Sequence, residues 1–149
     1  AGVLNMTDDE WDFTIATDQT SVFKMTRAFA NIMKKNNYGR IINIASMYGL
    51  VGNTEIPTIA YHSSKGGVVN FTRAAAAELA KYNITVNCIC PGYFYTELTT
   101  AVLDTPRFQE FAKTHAVVSY DNRFLAACGE HFIHVELSIL TRIVSESVI

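Results

Sequence analysis

The chain lacks a charge excess, a long apolar run and a cysteine framework, and each absence removes a class of protein. Its 149 residues carry 12 lysines and arginines against 14 aspartates and glutamates, a formal net charge of −2. The basic residues are scattered, so no cationic stripe points to nucleic acid or to an anionic membrane surface. The uncharged stretch from Ile41 to Asn53 is too short to cross a bilayer. The N-terminus shows no basic segment followed by an apolar run, the pattern of a secretory signal peptide. Three cysteines, Cys88, Cys90 and Cys128, make no disulfide framework. Cys88 and Cys90 fall on one side of a strand, roughly 7 Å apart at Cα, which is a poor distance for a bridge. His62, His115, His131 and His134 are not spaced to join them around an ion, so no metal is expected. The cysteines read as reduced core residues, and the expected compartment is the cytoplasm.

What remains is a globular composition, 49% hydrophobic and 17% charged, in a length that fits one domain with a sizeable core. Thr7-Asp-Asp-Glu10 reads as a capping box opening a helix. Helical periodicity runs to about Lys35 with a break near Thr17-Asp18. Val22, Met25, Thr26, Phe29, Ile32 and Met33 form its apolar face. Asn37-Tyr-Gly39 closes it, with the glycine expected in the left-handed conformation. Arg40–Ala45 is a branched apolar run of the kind that forms a buried parallel strand. A loop from Met47 to Ile59 leads into a second long helix over about Ala60–Lys81. Its small residues, among them Ser64, Gly67 and Ala74–Ala77, permit close approach of another element. Tyr82-Asn83 turns the chain into the strand Ile84–Cys90, which Pro91-Gly92 stops. Helix, strand, helix, strand is the order of a layered α/β fold with a parallel sheet. Ligands of such sheets bind beyond the carboxyl ends of the strands. Ser46 lies past one strand end, Pro91-Gly92 past the next, and Tyr61 begins the helix between them. Three polar signals thus converge on one rim.

The chemistry centres on Tyr61 and Lys65, four residues apart and therefore on one face of a helix. A phenol ordinarily keeps its proton until about pH 10, and a neighbouring ammonium favours the phenolate. The pair is a proton-transfer device suited to a carbonyl or an alcohol. With seven tyrosines and six lysines in the chain, chance alone supplies about 0.3 such pairs. An exposed helical contact is therefore the competing reading, and the surroundings decide.

Those surroundings resemble the short-chain dehydrogenase/reductase family. Ala1-Gly2 matches the end of its Asn-Asn-Ala-Gly element, and Ile41-Ile-Asn-Ile-Ala-Ser46 its catalytic-serine strand. Tyr61-x-x-x-Lys65 matches its signature pair. Val86-Asn87 followed by Pro91-Gly92-Tyr-Phe-Tyr-Thr96 matches its strand and cofactor-contacting turn. The resemblance covers residues 1–114 and implies the second half of a Rossmann-like, doubly wound parallel sheet. It implies that Ser46 hydrogen-bonds the substrate oxygen and that Tyr61 exchanges a proton with it. Lys65 would support Tyr61 and hold the nicotinamide ribose. Ala1, Gly2, Pro91, Gly92, Phe94 and Thr96 would border the cofactor, NAD or NADP, together with Tyr61 and Lys65. The hydride chemistry belongs to that cofactor. Asn43 and Asn87 read as strand-end hydrogen-bonders, and His62 as a partly exposed helix residue. Trp11, Tyr93 and Tyr95 fit either a substrate pocket or core packing.

Three features depart from the family pattern. The helical asparagine that helps hold a proton-relay water aligns with Asp18, which adds a charge and removes donors. The glycine-rich phosphate loop, Thr-Gly-x-x-x-Gly-x-Gly, occurs nowhere in the chain, so the chain is expected to begin downstream of it. After about His115 the family pattern stops, and residues 115–149 are expected to be an unrelated or frame-shifted tail. The stretch Ser46–Pro57 is most similar to gluconate 5-dehydrogenase-type members, implying a small-molecule substrate, a sugar acid or polyol, turned over between secondary alcohol and ketone. A 3-oxoacyl-carrier-protein reductase is the alternative. A further alternative is an inactive remnant that only associates. Family members commonly assemble as dimers or tetramers through the helices at Asp18–Lys35 and Ala60–Lys81, so a homo-oligomer is implied for the parent.

Overall fold

A computed structural model describes residues 1–52, 56–92, 97 and 99–108. Helix α1, Asp8–Ile15, starts as its capping box dictates. The Thr7 hydroxyl accepts from the Glu10 N–H at 3.2 Å, and the Glu10 carboxylate accepts from the Thr7 N–H at 3.0 Å. Hydrogen bonds to its carboxylate from the Thr7 N–H, foremost, and from the Thr7 side chain hold the Glu10 carboxyl below its ordinary value. Its contribution to stability is full above the ordinary carboxylate range and fades as pH falls through the folded value.

The break expected near Thr17-Asp18 is a π-helical segment, Ala16–Thr20, running without interruption into α2, Ser21–Lys35. One wider turn rotates the helix rather than ending it, and such bulges recur at functional sites. At the end of α2 the sequence-based expectation for Gly39 is corrected. The left-handed residue is Asn37, with φ of 46°, while Gly39 opens strand β1, Gly39–Ile44. Gly39 is needed for space: a Cβ there would lie 2.5 Å from the Met33 sulfur and 2.8 Å from its Cβ.

A 3-10 turn at Met47–Gly49 follows β1, and helix α3 spans Ile59–Leu79. A second 3-10 turn, Ala80–Tyr82, leads through Asn83, left-handed at φ of 56°, into β2, Ile84–Ile89. Beside that turn, a hydrogen bond from Lys34, then its charge and that of Lys81, draw the Tyr82 phenol below its ordinary value. The short helix α4, Thr100–Leu103, ends the described elements.

β1 and β2 pair in parallel, Gly39 opposite Ile84 and Ile44 opposite Ile89, so their carboxyl ends share one rim. The architecture is the expected α/β, Rossmann-like arrangement. α3 buries Ala75 and Ala76 against Ile84 and Val86 near the start of the strands, and Val68 and Val69 against Ala45 and Cys88 near their ends. The expectation that the first strand is buried holds for one face only. Among the described residues Ile42 and Ile44 stay 61% and 53% exposed on the other, because alternation sends every second side chain away from α3.

One buried polar link fastens strand to helix. Asn43 Nδ2 donates to Thr72 Oγ1 at 3.0 Å, and that hydroxyl donates to the Val68 carbonyl at 2.8 Å. Asn43, the next-to-last residue of β1, is thus the strand-end hydrogen-bonder expected, and it anchors the strand to α3. Thr72→Val keeps the shape and removes the acceptor. The expected loss is about 1–3 kcal/mol in urea unfolding, the cost of an unsatisfied buried amide.

Candidate active site

The rim beyond β1 and β2 gathers the elements singled out in the sequence. The Met47 N–H donates to the Pro91 carbonyl at 3.0 Å, joining the turn after β1 to the Pro91-Gly92 turn after β2. The Ile59 N–H donates to the Ala1 carbonyl at 3.4 Å, and Gly2 lies against Pro57. Ala1-Gly2 therefore reaches the start of α3, two residues from Tyr61. Of the cofactor-turn candidates, Phe94 and Thr96 lie outside the described residues, as do Tyr93 and Tyr95 and residues 109–149 with the proposed tail.

Ser46 caps the 3-10 turn in an extended conformation, with φ of −162°, and is buried. Its Oγ accepts from the Tyr48 N–H at 3.2 Å. A hydroxyl that accepts one bond still has its own proton to donate. Ser46 can therefore offer a hydrogen bond to an oxygen at the rim.

Lys65 crosses from α3 to the end of β1. Its Nζ donates to the Ile44 carbonyl at 3.2 Å and lies 5.6 Å from the centroid of the Tyr61 ring. The same nitrogen is 3.9 Å from Asp18 Oδ1, with the two side chains 13% and 27% exposed. The π-helical segment delivers Asp18 to this position, so Asp18 is an ion-pair partner of Lys65. The ammonium thus faces a carboxylate, a carbonyl and an aromatic ring together.

The turn carrying Ser46 presses on α3 where Lys65 begins. A Cβ on Gly49 would lie 2.7 Å from the Lys65 carbonyl carbon and oxygen. At Gly67 a Cβ would overlap the Gln19 side chain, which comes from the π-helical segment. The small-residue stripe of α3 is therefore used in two ways, against the sheet through its alanines and against Gln19 through Gly67.

Three contributors escape sequence reasoning. Tyr48 packs its ring edge-on to Tyr61, with centroids 6.5 Å apart at 80°, and tilted onto His62 at 4.6 Å. His62 Nδ1 lies 2.8 Å from the Thr58 carbonyl, which can only accept, so that nitrogen carries the proton. Gly49 acts through its missing side chain. The available signal was positional: Tyr48 and His62 stand next to Ser46 and Tyr61 in sequence. Trp11, offered for a pocket or the core, is exposed on α1.

This chain matches the short chain dehydrogenase family over residues 1–107. It belongs to that family. It is 33% identical over 139 residues to a 3-oxoacyl-(acyl-carrier-protein) reductase of Vibrio harveyi, covering 93% of this chain and 56% of the relative. It is 41% identical over 113 residues to a cyclopentanol dehydrogenase of Comamonas, covering 72% and 44%. A gluconate 5-dehydrogenase of Burkholderia cenocepacia, solved with NADP and tartrate, superposes with a TM-score of 0.71 at 29% identity, over 78% of this chain and 45% of that one. The chain spans about half the length of the curated relatives it matches. No helix among the described residues is long and apolar enough to cross a membrane, and no cluster of three metal-ligating side chains occurs among them.

Gly49→Ala forces a backbone shift at the turn. A loss of about 1–3 kcal/mol, typical of overpacking, is expected in chemical denaturation, and Gly52→Ala, which meets open space, should show none of it.

Proposed function

We propose that this chain forms the catalytic half of an NAD(P)-dependent oxidoreductase interconverting a secondary alcohol and a ketone. The observation that carries the reading is the meeting of Ser46, Tyr61 and Lys65 at one strand-end rim, with the Lys65 ammonium over the Tyr61 ring and bonded beside Ser46 at the Ile44 carbonyl. In this reading Ser46 donates to the substrate oxygen and stabilises charge developing on it. Tyr61 gives a proton to that oxygen during reduction and takes it back during oxidation. Lys65 places a positive charge beside the Tyr61 ring, and Asp18 fixes the ammonium in place as its counter-ion.

The donor set suits the nicotinamide end of the cofactor. Lys65 has three donor hydrogens and spends one on Ile44, which leaves capacity for ribose hydroxyls. Ala1, Gly2, Pro91 and Gly92 bring backbone to the same rim, and Phe94 and Thr96 follow in the sequence as further candidates. When bound, the cofactor supplies or accepts the hydride. Its binding elsewhere on the full protein is not carried by these residues.

For the substrate we favour a sugar acid or polyol, as in gluconate 5-dehydrogenases, which the Ser46–Pro57 stretch and the Burkholderia structure support. The Vibrio relative supports the second reading, a 3-oxoacyl-carrier-protein reductase. A homo-oligomeric, cytoplasmic enzyme fits both. The exposure of Ile42 and Ile44 favours a different reading for the 149-residue chain by itself, an inactive remnant that associates through apolar surface.

Fluorescence titration of the 149-residue chain with NADH and NADPH separates catalyst from remnant: saturable micromolar binding defeats the remnant reading. In the full-length gene product, Tyr61→Phe is expected to lower turnover at least about a hundredfold with cofactor affinity unchanged. Retention of most of the rate would remove Tyr61 from the mechanism. Assays with gluconate and with an acetoacetyl thioester decide between the two substrate classes.

A further inference from the structure

Three contacts converge on Tyr48, a residue to which the reaction assigns nothing, and a fourth seats its neighbour. The Tyr48 N–H donates to Ser46 Oγ at 3.2 Å. Its ring meets Tyr61 edge to face, with centroids 6.5 Å apart. The other side of the same ring system is occupied by His62, 4.6 Å away and tilted by 32°. Gly49, the next residue, lies directly on the backbone at Lys65 and Gly66. Tyr48 thus links the turn of Ser46 to Tyr61, through its backbone N–H on one side and its ring on the other.

His62 is itself held. Its Nδ1–H is directed at the Thr58 carbonyl at 2.8 Å, with the Thr58 hydroxyl 3.2 Å from the same nitrogen. Its Nε2 is buried and has no hydrogen-bond partner. A buried nitrogen without a partner is costly, so the imidazole keeps this place through its Thr58 bond and its stacking on Tyr48. The ring serves as a wall whose orientation the first turn of α3 fixes.

We propose that Tyr48, braced by His62, is a positioning residue that sets the separation of the Ser46 and Tyr61 hydroxyls. The proposal rests on the oxidoreductase reading of the site. Neither ring takes or gives a proton in this role. A substrate oxygen must receive a hydrogen bond from Ser46 and a proton from Tyr61 at once. The two residues come from different elements, a turn and a helix. The Tyr48 ring couples the two elements, and its N–H orients the serine oxygen so that the serine proton is left for the substrate. Misplacement of a reacting group by about 1 Å can cost a hundredfold in rate, which is the scale on which such a wall acts.

The test compares Tyr48→Leu, Tyr48→Phe, His62→Leu and Tyr61→Phe in the full-length gene product, reading kcat, substrate KM and NAD(P)H affinity. Tyr48→Leu should lower kcat roughly 10- to 100-fold with cofactor affinity unchanged, and Tyr48→Phe should restore it to within about twofold of the native rate, because the ring and not the hydroxyl does the positioning. His62→Leu should lower kcat in the same way, and the double substitution Tyr48→Leu/His62→Leu should cost no more than Tyr48→Leu alone, since both act through one ring. A native kcat in Tyr48→Leu, a Tyr48→Phe variant as slow as Tyr48→Leu, or full additivity in the double variant would overturn the proposal. Where Tyr48→Leu does not fold, His62→Leu decides: a native kcat in it overturns the proposal, and a lowered kcat with intact cofactor affinity upholds it. Tyr61→Phe separates the two levels. If it keeps its rate, the oxidoreductase reading fails; if it loses its rate while Tyr48→Leu does not, the positioning role alone fails.

Discussion

The rim depends on one close approach, the seating of the turn after β1 on the backbone of α3. Gly49 makes it possible because any side chain there would collide with the Lys65 carbonyl. Once the turn is seated, the Met47 N–H reaches the Pro91 carbonyl and ties the turn to the end of β2. These backbone contacts place the main chain at Ser46, Lys65 and Pro91-Gly92, and side-chain bonds such as that from Lys65 Nζ to the Ile44 carbonyl then fix the functional groups. Side chains refine this arrangement but do not create it. That division matters because backbone contacts carry little rotamer freedom, so the groups they fix lose little entropy when a ligand arrives.

Lys65 is the electrostatic centre of the same rim. An isolated exposed ion pair contributes little, but this ammonium is mostly withdrawn from water and faces three acceptors of different character. The carboxylate of Asp18 offsets part of its charge, and the Ile44 carbonyl fixes its direction. A lysine left mobile on four rotatable bonds would spread its field over a wide volume. Held at the end of β1, it concentrates that field beside Tyr61. The π-helical segment belongs to this device, since the wider turn at Ala16–Thr20 brings Asp18 and Gln19 onto α3.

Much of this was legible in the amino-acid order. Helical periodicity locates both long helices, short branched apolar runs bounded by turn residues locate both strands, and the i, i+4 spacing aligns Tyr61 with Lys65 before any coordinates exist. The capping box at Thr7 is read correctly because it is a local bond between neighbours. Gly39 is misread for the opposite reason. Its absence of a side chain answers to Met33 and Ile84 across space, while the left-handed turn falls to Asn37. The π-helical turn looks like a break because a single widened turn disrupts periodicity as much as a helix end does. Tyr48 and His62 escape because neither carries a spacing signal relative to the other. They lie 14 positions apart in sequence, and only the seating of the turn on α3 brings their rings together.

The distribution of apolar surface separates what the described elements bury among themselves from what they leave exposed. Side chains facing α3, such as Val86 and Cys88, are buried, while Ile42, Ile44 and Ile89 look the other way and stay substantially exposed. Burying one such isoleucine is worth about 1.5–3 kcal/mol, so anything covering that face gains several times that amount. The rim lies at the ends of the strands and not on this face. Covering the sheet can therefore stabilise the fold without touching Ser46, Tyr61 or Lys65. In the proposed reading those three groups would address only the carbon–oxygen bond undergoing reaction, and nothing in them would distinguish a sugar acid from an acyl thioester. Substrate choice would then come from surfaces around the rim, as sites rather than folds set function.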